Sequence, residues 1–163
     1  MDSHNYVKYY EALYKNITVF FVKNDSTNKY KFNLYNNELM SKVTDGFILF
    51  LDDDDVYTHN LCFKLINNKI IDDNSILLWK FMRPDKLVYP KTVDNIQLGE
   101  IDTTIVCFHN KHKHLAKWQD RQCGDFYFYT DLFKKKEINK SNIIKVNYII
   151  TKTSYDNKSC NSS

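Results

Sequence analysis

Four aspartates in a row, Asp52, Asp53, Asp54 and Asp55, stand directly behind the apolar run Phe47-Ile48-Leu49-Phe50-Leu51 in the stretch GFILFLDDDDVY. Two like charges about 4 Å apart repel by ~4 kcal/mol at the effective dielectric of a protein surface. Such a junction asks for a cation, or for the solvation that acidic runs receive in loops. Residues 47–51 read as a strand buried on both faces, which places the aspartates at the carboxyl end of a central parallel strand, where open α/β sheets bind ligands. Hard carboxylate oxygens favour Mg²⁺ or Mn²⁺ over zinc, and these ions complete their coordination with phosphate oxygens and water. The other chemistry-bearing residues are less concentrated. The histidines of HNKHKH, His109, His112 and His114, invite a metal reading, but beside two lysines they read as a polar loop and are left out of the metal set. Cys62, Cys107, Cys123 and Cys160 form no CxxC pair, so free thiols are expected rather than a zinc site or a disulfide framework.

The elements around the aspartates alternate. SHNYVKYYEALYK puts Tyr6, Tyr10, Leu13 and Tyr14 at helical spacing behind a cap at Ser3, and ITVFFV follows as a buried strand. YKFNLYNNELMSKV repeats the pattern, with Phe32, Tyr35, Leu39 and Val43 on one face, and ends near Gly46 before the strand that leads to the aspartates. Leu61, Leu65 and Ile66 mark another helix, capped by Thr58, and SILLWKFM is the next strand. Alternation of this kind predicts an α/β layer architecture. KLVYP, TTIVCFH and NIIKVNYIIT add strands and DFYFYTDLFKKK an amphipathic helix, so the central sheet is expected to be mixed. The chain has 3 glycines, and each adjoins an acidic residue or a strand start. Gly46 reads as a turn glycine; at Gly124 an ordinary turn, and a backbone that comes close to a ligand or turns sharply under an active carboxylate, are equally open.

Length and composition suit one domain over residues 1–163, with 43% hydrophobic and 15% aromatic residues. There are 23 basic and 20 acidic side chains, and no basic run is interleaved with aromatics as a nucleic-acid face would require. The longest apolar runs are too short to cross a bilayer, and the N-terminus has no signal-like segment, so a cytoplasmic protein is expected.

These residues resemble a family. GFILFLDDDDVY, preceded by the Asn-bearing helix NLYNNELMSKV, is similar to the third helix, fourth strand and DxD motif of GT-A-fold nucleotide-sugar glycosyltransferases, particularly small family-2-like enzymes of giant and algal viruses. SILLWKFM and LVYP resemble the strands that follow that motif, LGEIDTTIVCFH the acceptor-side strand, and WQDRQCGDFYF the segment that begins the helix bearing the catalytic base. The resemblance runs from about Ile17 to Ile150. It implies a GT-A-like α/β/α sandwich with a mixed central sheet, and transfer of a hexosyl or deoxyhexosyl group from a nucleoside-diphosphate sugar to a hydroxyl of a glycan or glycoprotein, with inversion. It implies Mn²⁺ or Mg²⁺ as cofactor, held by Asp54 with Asp52. Asp52, Asp53 and Asp54 would bind the donor, Asp125 would be the base, Trp118 and His109 would face the acceptor, and Asp55 would orient the loop or the acceptor. A viral source would place the protein in host cytoplasm or virion.

Family members begin with a strand, a helix and a second strand that bind the nucleotide base. Here MDSHNYVKYYEALYK resembles the helix after that unit, with Asp2 and Ser3 similar to the turn at its start, so the expected domain is truncated at its N-terminus. The alternative is a catalytically weak or inactive domain that binds sugar or nucleotide as a subunit or scaffold. A homo-oligomer or a partner chain would then cover the gap. A third reading, a Mg²⁺-dependent phosphotransferase, lacks a Gly-rich phosphate loop.

Overall fold

The computed structural model describes residues 27–52, 54–58 and 72–153, together with residues 18, 20, 60, 64, 67 and 68. The helix and strand expected over residues 3–22, and the helix positions Leu61, Leu65 and Ile66, lie outside the described residues, as does Asp53.

Helix α1 (Lys31–Lys42) leads through a turn to strand β1 (Phe47–Leu49). The turn needs Gly46 for its backbone: φ is +82°, and an added Cβ would meet nothing within 4 Å, so conformation and not space excludes other residues. Strand β2 (Asp55–Tyr57), β3 (Ile76–Met82), β4 (Val88–Tyr89) and β5 (Val106–His109) follow, then helix α2 (Gly124–Lys134) and the long strand β6 (Ile143–Thr153).

The strands form one mixed sheet in the order β1-β5-β3-β6-β2, with β4 paired to β3. Only β3 and β6 pair in parallel among the described strands. In β3 the run Ile76, Leu77, Leu78 and Trp79 is at most 1% exposed, the continuous burial of a strand covered on both faces. Because β5 runs antiparallel to both β1 and β3, strands β1, β3 and β6 point the same way and end at one edge of the sheet. The mixed α/β architecture expected from the alternation is therefore present.

The strand before the aspartates differs from its expectation. It covers residues 47–49, pairs antiparallel with β5, and stands at the end of the described strand order rather than at its centre. Past Leu49 the strand spacing gives way to aromatic packing. Phe50 turns inward, with ring centroids 5.3 Å from Trp118 and 6.3 Å from Phe128, while Leu51 is exposed. The aspartates that follow are not one open loop either, since Asp55 begins β2 opposite Thr153.

The inward face of α1 is also not the apolar stripe expected. Phe32 is 59% and Leu39 39% exposed, whereas Asn33 and Met40 are buried. That face meets irregular backbone after residue 117, whose peptide groups need hydrogen-bond partners. The helix start expected behind Thr58 lies outside the described residues; Thr58 itself continues the β6 edge, its N–H donating to Ile150 O (2.7 Å) and its hydroxyl to Ile149 O and Ile150 O. Of the cysteines expected as free thiols, Cys107 is buried in the core, but Cys123 is disulfide-bonded. Among the described residues no helix is long and apolar enough to cross a membrane.

Candidate functional site

Carboxylates from three separate parts of the chain meet at the sheet edge where β1, β3 and β6 end. Asp52 and Asp54 follow β1, and the N–H of Asp55 donates to Asp52 O (3.1 Å), which closes the turn into β2. The Tyr57 hydroxyl braces this turn by donating to Phe50 O (2.9 Å). Asp102 arrives from the other side, just before β5. It caps a short 3-10 turn, Thr103–Ile105, by accepting from Thr104 N (3.0 Å) and Thr104 Oγ1 (2.8 Å). A contact of 3.1 Å between the Thr104 and Thr151 hydroxyls ties that turn to β6. Asp125 comes from the first turn of α2. One helical turn later Tyr129 donates its hydroxyl to Thr103 O (2.5 Å), so α2 and the Asp102 turn are held together.

The electrostatics show that these acids share one region. Burial pushes the Asp55 carboxyl up to about 7, the charge of Asp102 adds to it, a hydrogen bond from Thr153 opposes it, and Asp54 and Asp52 raise it further. Asp125 is likewise pushed up to about 7, first by burial and then, against the bond from Phe126 N, by Asp102 and Asp52. Asp102 is raised by burial and by Asp54, with the Thr104 bonds opposing. Burial also raises Tyr129 well above the usual phenol, and Asp125, Tyr57, Asp102 and Asp52 add to it. Asp55 is 7% exposed and its Oδ1 has no hydrogen-bond partner. A buried acceptor left unpaired costs about 1–3 kcal/mol, so this oxygen is a place where a ligand is rewarded.

Among the described residues no group of three His, Cys, Asp or Glu side chains stands ready to hold a metal ion. The chemistry of the donors nevertheless fits a hard divalent cation: all are carboxylates, they repel one another, and one buried oxygen is orphaned.

The acceptor-side residues lie elsewhere. Trp118 is 1% exposed and stacks on Phe128 at 4.6 Å between centroids and 11° between planes, with Phe50 and Tyr129 edge-on, so its indole is core and leaves no face for a sugar. His109 pairs with Phe47, at the start of β1. Antiparallel pairing thus puts it at the end of β1 opposite the one from which the aspartates follow. There its Nδ1 accepts from Lys111 N (3.3 Å) and its Nε2 lies 3.6 Å from Asp73 Oδ1. His112 is buried nearby with Nε2 3.1 Å from Asp73 O.

Tyr129, which the sequence did not single out, completes the acidic region together with Asp102, which its place in GEID made, with Asp120, the next carboxylate after Asp125 for the role of base. Asn33 and Asn37 on α1 hold the segment that precedes Asp125. Asn33 Nδ2 donates to Gln119 O (3.1 Å) and Arg121 O (2.8 Å), and Asn37 exchanges a pair of bonds with the Trp118 backbone at 2.8 and 2.9 Å. Asp120 belongs to this brace, accepting from Tyr30 N (2.6 Å). Compared with protein families and with curated proteins, the sequence matches no family model and no individual protein.

Proposed function

We propose that the chain is a metal-dependent glycosyltransferase with a GT-A-like domain, which moves a sugar from a nucleoside-diphosphate donor to an acceptor hydroxyl with inversion. The observation that carries the reading is the convergence of Asp52, Asp54, Asp55, Asp102 and Asp125, three of them with raised pKa values, at the carboxyl end of strands β1, β3 and β6. Asp54 with Asp52 would hold Mn²⁺ or Mg²⁺, and Asp53 would take part in binding the donor. When bound, such an ion neutralises charge on the diphosphate as a Lewis acid.

The remaining chemistry belongs to the protein. Asp125 takes the proton of the acceptor hydroxyl as its oxygen bonds to the anomeric carbon, and the bond to the diphosphate oxygen breaks with its electron pair leaving on the nucleotide. A base works best with a pKa near the working pH, and a carboxyl raised to about 7 meets that need while an ordinary aspartate would be too weak. Asp102, fixed on one oxygen by Thr104 and itself raised by burial, adds in its ionised form to the rise of Asp125.

The test is a panel of UDP- and GDP-sugars incubated with purified protein and Mn²⁺. Metal-dependent release of the nucleoside diphosphate is the expected result. Nucleotide binding with no release would favour a binding subunit, and phosphate release from sugar phosphates would favour a phosphotransferase.

A further inference from the structure

The segment between Lys117 and helix α2 has to present Asp125 at the acidic edge, yet residues 116–123 form neither helix nor strand. Its peptide groups find partners on side chains of α1 instead. Both donors of the Asn33 amide are used, one on Gln119 O and one on Arg121 O, and Asn33 itself is 2% exposed. Gln119 O also accepts from Arg121 N (2.8 Å), so the asparagine closes around a tight turn and does not merely touch it. Beyond the turn, Cys123 sits in the left-handed region (φ 56°), a conformation that costs a non-glycine residue about 1–2 kcal/mol and persists only when its surroundings impose it. The next residue, Gly124, packs on the same asparagine: a Cβ there would lie 2.6 Å from Asn33 Cγ and 2.7 Å from Asn33 Oδ1. The φ of Gly124 is not positive, so it is the close packing of Asn33, and not a left-handed backbone, that calls for glycine there.

We infer that Asn33 is a positioning residue for the proposed reaction: through its bonds to Gln119 and Arg121 and its contact with Gly124 it sets where helix α2 begins and hence where Asp125 stands. The inference rests on Asp125 being the base. Asn33 touches no reacting group; it acts through the backbone. A 1 Å misplacement of a catalytic group costs up to about 10²-fold in rate, and two hydrogen bonds across one turn are the kind of restraint that prevents it. The polar face of α1 follows from the same requirement, since an apolar residue at position 33 would leave two carbonyl oxygens facing a dry contact.

The experiment compares wild-type protein with Asn33→Ala, Asn33→Asp and, as a control on the exposed face of α1, Phe32→Ala. Turnover of the nucleotide-sugar identified in the panel should fall roughly 10- to 100-fold in both Asn33 variants, with the donor KM within about twofold of wild type and Phe32→Ala unchanged. Asn33→Ala should also relieve Gly124→Ala: the double variant should fold better than Gly124→Ala alone yet keep the low kcat. Wild-type kcat in Asn33→Ala, or a rise in KM with kcat intact, would overturn the inference and leave Asn33 a structural residue. Amide exchange at residues 119–125 gives a readout that needs no activity. If no donor is turned over by wild type, the glycosyltransferase reading fails. Exchange at least 10-fold faster there in Asn33→Ala would still establish the clamp, and unchanged exchange would refute it. Should Asn33→Ala fail to fold, Asn33→Ser is measured in the same way.

Discussion

An aspartate in the first turn of a helix ordinarily has a low pKa, because the positive end of the helix dipole favours the anion. Asp125 is pushed the other way, to about 7, since burial and the charges of Asp102 and Asp52 outweigh the bond from Phe126 N. Two predictions follow from the same carboxyl. In catalysis, Asp54→Asn should lose metal-dependent donor binding together with transfer, whereas Asp125→Asn should keep donor binding and lose about 10²- to 10⁴-fold in turnover, as isothermal titration and single-turnover kinetics will show. Near wild-type turnover in Asp125→Asn would remove it as the base and point to Asp102. In stability, the folded pKa lies above the ordinary 3.8, so the native state holds this proton more tightly than the unfolded chain. The contribution is fully present below about pH 4 and is lost as pH rises through about 7. Urea denaturation should therefore give lower stability at pH 8 than at pH 5, and Asp125→Asn should reduce that fall. A wild-type curve that rises over this window would contradict the raised carboxyl.

At the scale of elements, α2 buries its aromatic side against the sheet, with Trp118 stacked between Phe128 and the turn after β1. Trp118→Ala should cost about 3–5 kcal/mol in chemical denaturation, the range for emptying a core aromatic, and leave acceptor KM unchanged in whatever protein folds. A sugar-stacking role would show the reverse. Gly46→Ala should cost about 1 kcal/mol for its left-handed backbone, with no steric penalty. Strands β3, β5 and β6 and helix α2 were legible because burial on both faces or one apolar stripe dictates their composition. The same logic misread α1, whose buried face carries Asn33 and Asn37 and so gives no apolar period. It also centred the strand before the aspartates, because a run of five apolar residues does not reveal which side it pairs on, or that Phe50 leaves the ladder for the aromatic cluster. Of the candidate site, the aspartates after β1 were visible as a run of acids against an apolar strand, whereas Asp125 was singled out through the family resemblance and not by its own surroundings. That His109 faces the opposite edge depends on antiparallel register, which no local pattern encodes.

For the whole molecule, a formal charge of +3 hides a strong asymmetry, because five carboxylates crowd one edge of the sheet while the loop at residues 109–114 carries lysines and histidines at the other. An edge so acidic attracts any divalent cation diffusely, and that attraction has to be told apart from a built site. A ligand bound only by the native state stabilises it by RT ln(1 + [L]/Kd), roughly 2.7 kcal/mol at a hundred times Kd. Diffuse attraction between exposed charges is screened within about 8 Å at physiological salt, whereas an ion held between partly buried carboxylates with few screening waters is much less affected. Millimolar Mn²⁺ should thus raise the melting temperature, the rise should survive 0.3 M NaCl, roughly twice physiological ionic strength, and Asp54→Asn should abolish it. A rise that disappears with salt, or that persists in Asp54→Asn, would reduce the acidic edge to a solvated surface and take the metal out of the proposed mechanism.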